Sequence, residues 1–388
     1  MAPKVSDWVQ EAQERVTHKI THASFPQLKY PSFRDEGFRD PIQWLTGKAI
    51  DDGAEGLWRI HDKLYDLTSF IKNHPGGEEW LELTKGTDIT EAFESHHINP
   101  STEKILSKFY IRDAKTPRNS PFTFHTNGFY KTLKRTVYEE LKKIPKDASI
   151  TADRITDGLF VTVLCSCSLA CWFENYWISA LWYFIASISL AFLTVTCHNF
   201  IHRKTNWRMY LFNMSMWSYR FLSIFIRKGF FKAHYRWHDA IGFLLPICMW
   251  LTSGGSLVHV LYTWLRINCT ASLIFFLIAV NAAHHHPDAF KDGDQPRSLT
   301  LDWGEHQVEA LLDRKDVNGN TFAVMTLFGD HALHHMFPTL DHSILKYLHP
   351  IFIQLCEKYQ ANYRVSTQFE LVLGQIRENM RTEFKTIN

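Results

Sequence analysis

Between Gly158 and Cys197 a single side chain, Glu174, is charged at neutral pH, and nothing else in the chain limits its fold so strongly. A helix crossing a bilayer needs roughly 20 consecutive apolar residues, because hydrocarbon offers no partner to a bare backbone. The block is sized for two crossings, with Glu174 and Asn175 at the turn between them. A second block, Ala240 to Ala283, is interrupted by Arg266 and Asn268 and again suits two crossings. Pro246 and the Gly254-Gly255 pair within it require neighbouring helices that satisfy a loosened backbone. Trp172, Trp177, Trp182, Trp250 and Trp264 give these segments the aromatic edges that favour a membrane interface. Leu211 to Ile226 is apolar around Arg220 and reads as a helix lying in that interface. Lys and Arg are dense before Gly158, around Arg203–Arg208 and Arg227–Arg236, and after Lys291, which assigns all these segments to one cytosolic face.

The remainder is soluble in character. Over 388 residues, 42 basic and 40 acidic side chains leave a formal charge of +2, so no nucleic acid or other polyanion is implied as a partner. Six of the seven cysteines sit in or beside apolar runs, with Cys356 alone downstream, and such an arrangement predicts reduced thiols rather than a disulfide framework. Residues 1–40 form a polar arm without the apolar core of a cleaved signal. Residues 41–115 form a first domain, 116–157 a linker and juxtamembrane segment, and 158–388 a membrane domain. Lys131 to Lys146 is basic and helix-compatible, suited either to an anionic membrane surface or to a solvated helix face.

Four histidine groups punctuate the second half: His198 and His202; His234 and His238; His284, His285 and His286; and His331, His334 and His335. Spacings of three and four put the first and last sets each on one helix face. On the topology above, all of them can meet at one membrane surface. Imidazole suits iron, copper, zinc or nickel, and a cluster this large exceeds one tetrahedral zinc site, which points to two metal ions, with iron the leading candidate.

A further pair, His74 and His97, flanks Gly76, Gly77 and Gly86 among Leu67, Phe70, Leu81, Ile89 and Phe93. Two imidazoles of this kind can grip a haem iron from both sides, and iron so held carries electrons rather than oxygen. With Trp58-Arg59-Ile60-His61-Asp62-Lys63-Leu64-Tyr65-Asp66-Leu67, this stretch resembles the cytochrome b5 domain. The resemblance implies axial ligation of haem b by His74 and His97, and leaves His96 a solvated bystander. Gly304-Glu305-His306-Gln307 and Gly329-Asp330-His331-Ala332-Leu333-His334-His335-Met336-Phe337-Pro338 resemble the C-terminal region of b5-fused membrane fatty-acid desaturases, with His331 where that group usually has Gln. His198-x-x-x-His202 resembles their first histidine box, and Asn281-Ala282-Ala283-His284-His285-His286-Pro287 their additional ligand segment, in which His285 falls on the ligand position. The order of segments is also similar to that of the insect cytochrome b5-related proteins.

The implied fold is an α+β haem-binding domain of the cytochrome b5 type followed by an all-α membrane domain with about four transmembrane helices. The implied metal ligands are His198, His202, His285, His331, His334 and His335, with His234 and His238 as further candidates. No His-x-x-His-His string, the form of the family's middle box, lies between His202 and Ala240. Two functions follow. In one, haem passes electrons to a non-haem di-iron centre that desaturates an acyl lipid with oxygen. In the other, the chain is a membrane-bound electron carrier without oxidase chemistry. Both imply a cytosol-facing reductase as donor, the lipid bilayer as a partner, and a multi-pass place in the endoplasmic reticulum membrane with haem and histidines cytosolic.

Overall fold

Residues 23–28, 41–202, 206–215, 237–277 and 283–386 are described in the computed structural model. The first unit holds helix α1 (Pro41–Asp51), strands β1 (Trp58–Ile60) and β2 (Lys63–Tyr65), helices α2 (Glu78–Thr84), α3 (Thr90–His96) and α4 (Ser101–Leu106), and strand β3 (Tyr110–Asp113). The strands pair antiparallel in the order β1-β2-β3. Trp58, Ile60, Leu67, Leu81 and Phe93 are buried together beside the sheet, and the Trp58 indole donates to Leu81 O at 3.0 Å, so its one polar atom is satisfied.

The segment after β3, expected to be a linker, is tied down instead. Arg59 is fully buried and donates to Asp52 O at 3.1 Å and Thr116 O at 2.7 Å. Arg118 pairs with Asp88 at 2.6 Å and Glu91 at 2.5 Å. Strand β4 (Phe122–Thr123) then leads into helix α5 (Phe129–Leu141). Phe129, Tyr130, Leu133 and Val137 of α5 are buried at the three- and four-residue spacing of one helix face. The first part of the Lys131–Lys146 stretch thus lies on an amphipathic helix that is packed by its apolar face and leaves Arg135 and Glu139 exposed.

Helices α6 (Ile150–Trp172) and α7 (Tyr176–Ile201) form a hairpin whose turn is the expected Glu174-Asn175, with the Asn175 side chain accepting from Trp177 N at 3.0 Å and Ile178 N at 3.2 Å. Their hydroxyls are satisfied locally: Thr194 donates to Leu190 O, Ser187 to Tyr183 O and Ser166 to Thr162 O. Among the described residues these are the two helices long and apolar enough to cross a membrane.

The second apolar block differs from expectation. It forms α8 (Leu244–Ser253) and α9 (Leu257–Phe275), with the turn at Gly254-Gly255, while Arg266 and Asn268 lie inside α9. Asn268 is tolerated there because it donates to Trp264 O at 3.1 Å, and the Arg266 guanidinium stacks on Tyr183 and Tyr262. Pro246 sits in the first turn of α8, where no N–H is needed. At about 1.5 Å per residue α8 rises roughly 15 Å, half of a hydrocarbon core about 30 Å thick. Most of Leu211–Ile226 lies outside the described residues, so the interfacial helix expected there is not described; Trp207–Phe212 is a 3-10 turn.

Strand β5 (Leu301–Asp302) pairs parallel with β4, and α10 (Trp303–Glu309), strand β6 (Asp313–Arg314), α11 (Thr321–Leu327), α12 (His331–Met336), α13 (His342–Tyr359), strand β7 (Val365–Ser366) and α14 (Gln368–Asn379) follow. β6 and β7 pair parallel. The core under this region joins α5, α10, α12 and α13 through Tyr130, Trp303, Leu333, Met336, Leu345 and Phe352. All seven cysteines are free thiols.

Candidate haem pocket and metal centre

His74 and His97 face each other with ring centroids 6.1 Å apart. His74 Nδ1 lies 2.8 Å from Gly77 O, and His97 Nδ1 lies 2.9 Å from Phe93 O. A carbonyl can only accept, so each Nδ1 carries the proton and each Nε2 keeps a bare lone pair for a metal. The separation is roughly what two bonds of about 2 Å from opposite sides of one ion require. A Cβ on Gly76 would come within 2.9 Å of the His74 ring, which explains glycine beside that ligand. Burial, with His74 adding to it, lowers the His97 imidazole to about 4 and keeps it neutral at physiological pH. The residues therefore fit a six-coordinate haem.

The histidines of the second half gather into two sets of three. His198 and His202, at the C-terminal end of α7, meet His334 of α12; His331 and His335 of α12 meet His284. Within each set the candidate ligand nitrogens all lie within 4.8 Å of one another. His198 Nε2 is 3.0 Å from His334 Nε2 and 3.2 Å from His202 Nε2, and His284 Nε2 is 3.0 Å from His331 Nε2. Nitrogens this close fit a cation bonded to each at about 2.0–2.1 Å. The outer nitrogens are oriented from behind: His334 Nδ1 meets His342 Nε2 at 2.8 Å, His335 Nδ1 meets Gln307 Oε1 at 3.2 Å and His284 Nδ1 meets Ala310 O at 3.4 Å. Burial, followed by neighbouring imidazoles, holds His331 and His334 well below the ordinary histidine range and His202 and His335 at about 3. Neutral, convergent imidazoles are the donor set a pair of transition-metal ions needs.

The turn that aims α12 is strained. Phe328 and Asp330, on either side of Gly329, both take left-handed backbone at φ +56° and +48°. A Cβ on Gly329 would meet Val317 and Val324 at 2.8 Å. The His331 N–H donates to Asp313 Oδ1 at 2.7 Å, which fixes the first turn of the helix. Behind the first set, Asn199 donates to Asp341 Oδ2 at 3.0 Å and accepts from His342 N at 2.8 Å.

Two expectations change, and a third lies beyond what the structure describes. His285 is not in the second set: His284 occupies that place, its ring 5.0 Å from His331 and 4.9 Å from His335, while His285 lies near the charges of Lys291 and Glu378. His96 is not a solvated bystander: it is half-buried and its ring lies 5.8 Å from that of His202. His234 lies outside the described residues, as does the His238 ring. His342, Gln307 and Asn199 were missed by sequence reasoning, since nothing in their spacing marks residues that act through another side chain.

The contact of His96 follows from how α3 is held. Glu94, one turn before His97, is buried and receives Lys134 Nζ at 2.6 Å, His61 Nε2 at 2.8 Å and Lys131 Nζ at 2.9 Å. Burial alone would raise its pKa, but His61, Lys134 and Lys131 outweigh that and hold the carboxylate well below its usual range. The Tyr130 hydroxyl donates to Glu94 O at 2.8 Å and also lies 3.3 Å from Met336 O, so α5 touches both the haem-side helix and the metal-side helix.

Two family models match the chain: a cytochrome b5-like heme/steroid binding domain over residues 48–115 and a fatty acid desaturase over residues 197–367. The chain is 37% identical over 418 aligned positions to the cytochrome b5-related protein of Drosophila melanogaster, covering 92% of this chain and 95% of that one. It is 24% identical to the probable Delta(5) fatty acid desaturase C of Dictyostelium discoideum over 86% of this chain and 93% of the other. Cytochrome b5 type B of Mus musculus is 43% identical over 70 residues, 18% of this chain and 48% of its own. No solved structure matches.

Proposed function

We propose that this chain, which belongs to the cytochrome b5-related proteins and joins a cytochrome b5 domain to a fatty acid desaturase domain, feeds electrons from haem to a histidine-held di-iron centre that desaturates a fatty acyl chain. The haem would supply electrons singly and the iron pair would supply oxygen activation and removal of two hydrogens from the lipid. The chain's own residues bind and orient. His74 and His97 hold the haem. His198, His202 and His334 hold one iron, and His284, His331 and His335 the other, with His342 and Gln307 fixing two of the rings. The observation that carries this reading is the convergence of two three-histidine sets on α12.

The same reading puts the protein in the endoplasmic reticulum membrane, with α6 and α7 as a crossing pair, α9 packed beside them and α8 reaching about halfway. Exposure of Trp177 at 78%, Val258 at 76% and Leu251 at 71% supports lipid rather than water around these helices. The haem domain and both histidine sets then face the cytosol, where a reductase supplies electrons.

A second reading, a b5-type electron carrier without oxidase chemistry, draws on one observation. The alignment with the Drosophila chain runs over 418 positions, more than the 388 residues present here, so that relative has residues with no counterpart in this chain. The absent middle box is a candidate for part of that difference. Iron per haem in the detergent-purified full-length chain decides between the two. Close to two non-haem irons per haem is expected from two complete sets; haem iron alone would overturn the di-iron reading and favour the carrier.

A further inference from the structure

We propose that His96 is the positioning residue through which the haem domain is coupled to the metal centre, its imidazole standing between the haem ligand His97 and the metal ligand His202. The inference rests on the di-iron reading above and adds the route by which electrons arrive. His96 is bonded directly to His97, and its ring meets that of His202 at 5.8 Å and 61°. The ring is held in that pose. Its Nδ1 donates to Ala92 O at 3.0 Å and lies 2.9 Å from Ser95 Oγ, so the orientation of the ring is fixed by the turn of α3 before it. His96 supplies no nitrogen to either convergent set, which separates it from the ligands.

The surrounding contacts keep the two domains at one distance. Glu94, two residues before His96, is locked to α5 by Lys131 and Lys134, and Arg118 ties the segment between the domains to Asp88 and Glu91. Tyr130 then joins Glu94 to the last residue of α12. With both groups bound, each transfer would move one electron, oxidising the haem from ferrous to ferric and reducing one ferric ion of the pair to ferrous, and the reductase would restore the haem. Electron transfer weakens steeply with every ångström of unfilled gap, so a fixed, packed imidazole at this junction shortens the through-space part to one ring contact.

The test uses the full-length chain carrying haem and non-haem iron. Haem is reduced without oxygen, oxygen is then admitted, and reoxidation is followed at the haem absorbance; wild-type protein stripped of non-haem iron gives the slow background. His96→Ala should keep the haem spectrum, haem midpoint potential and non-haem iron of the wild type, yet lose at least tenfold in the iron-dependent reoxidation rate. His96→Phe, which retains a ring at the contact, should recover part of the loss and covers the case in which the alanine variant fails to fold. An unchanged rate in both variants, or loss of non-haem iron from them, would overturn the proposal, the latter by making His96 a ligand. Failure of the di-iron reading is told apart because the wild type itself would then hold no non-haem iron.

Discussion

At the scale of single residues, the chemistry turns on where imidazole protons go. His74 and His97 each donate the Nδ1 proton to a carbonyl, so each Nε2 has its lone pair left, on rings whose centroids are 6.1 Å apart. Replacing either would leave a bound haem with one protein ligand instead of two. His74→Ala and His97→Ala are each expected to abolish the low-spin haem absorbance of the purified chain while far-ultraviolet circular dichroism is retained; full haem retention in either would refute the ligand pair. These two residues were legible because glycines and apolar residues around them resemble one known arrangement. Histidines at helical spacing were legible for the same kind of reason: positions 331, 334 and 335 can share a face only on a helix, and α12 is that helix. The run His284-His285-His286 was not. Three consecutive identical residues carry no period, and the choice of His284 was made by packing against His331 and His335, which no local pattern encodes.

At the scale of elements, the joint between α3 and α5 carries the load that a linker was expected to relieve. Lys131 and Lys134 were visible only as part of a basic stretch, because their partner Glu94 lies some forty positions away in sequence. Removing the charge from Glu94 leaves Lys134 buried beside no anion, and breaking one side of a buried pair costs roughly 3–5 kcal/mol. Glu94→Gln is therefore expected to lower the stability of the joint by about that amount, read as faster hydrogen exchange at the amides of α3 and α5. The pH dependence has a definite sign. The folded pKa of Glu94 lies below its ordinary 4.5, so the unfolded chain takes up the proton first. The joint should keep its full strength above pH 4.5 and weaken as pH falls from there toward the folded value, a loss that Glu94→Gln should not show. Equal acid sensitivity in the two proteins would refute this role. The second apolar block belongs to this scale too. Its composition predicted a break at Arg266, yet the helix runs through that position because Tyr183 and Tyr262 cover the guanidinium, and the chain turns at Gly254-Gly255 instead.

At the scale of the whole molecule, the question is on which side of a bilayer the two redox centres stand. α7 has 26 residues and rises roughly 39 Å at about 1.5 Å per residue, more than a hydrocarbon core about 30 Å thick. On the proposed membrane reading its two ends reach opposite interfaces. One end is the Glu174-Asn175 turn, and the other carries His198 and His202. The start of α6 returns to this second end, where Asp157 and Asp153 pair with Arg208 just beyond α7. Arg154, Arg203, Lys204 and Arg208 lie near that end in the sequence and the opposite turn has no Lys or Arg, so on the proposed membrane reading the positive-inside rule assigns the end that bears the histidines to the cytosol. On the same reading the haem domain shares that face, because the His96 ring lies 5.8 Å from that of His202. A cysteine placed at the turn, Glu174→Cys, is expected to react with a membrane-impermeant maleimide only after sealed microsomes are permeabilised, while protease added outside intact vesicles should release the haem-bearing fragment. Labelling of that cysteine in intact vesicles would put the turn on the cytosolic side and take the haem with its reductase-facing surface into the lumen, an arrangement in which the donor proposed for this chain could not reach it.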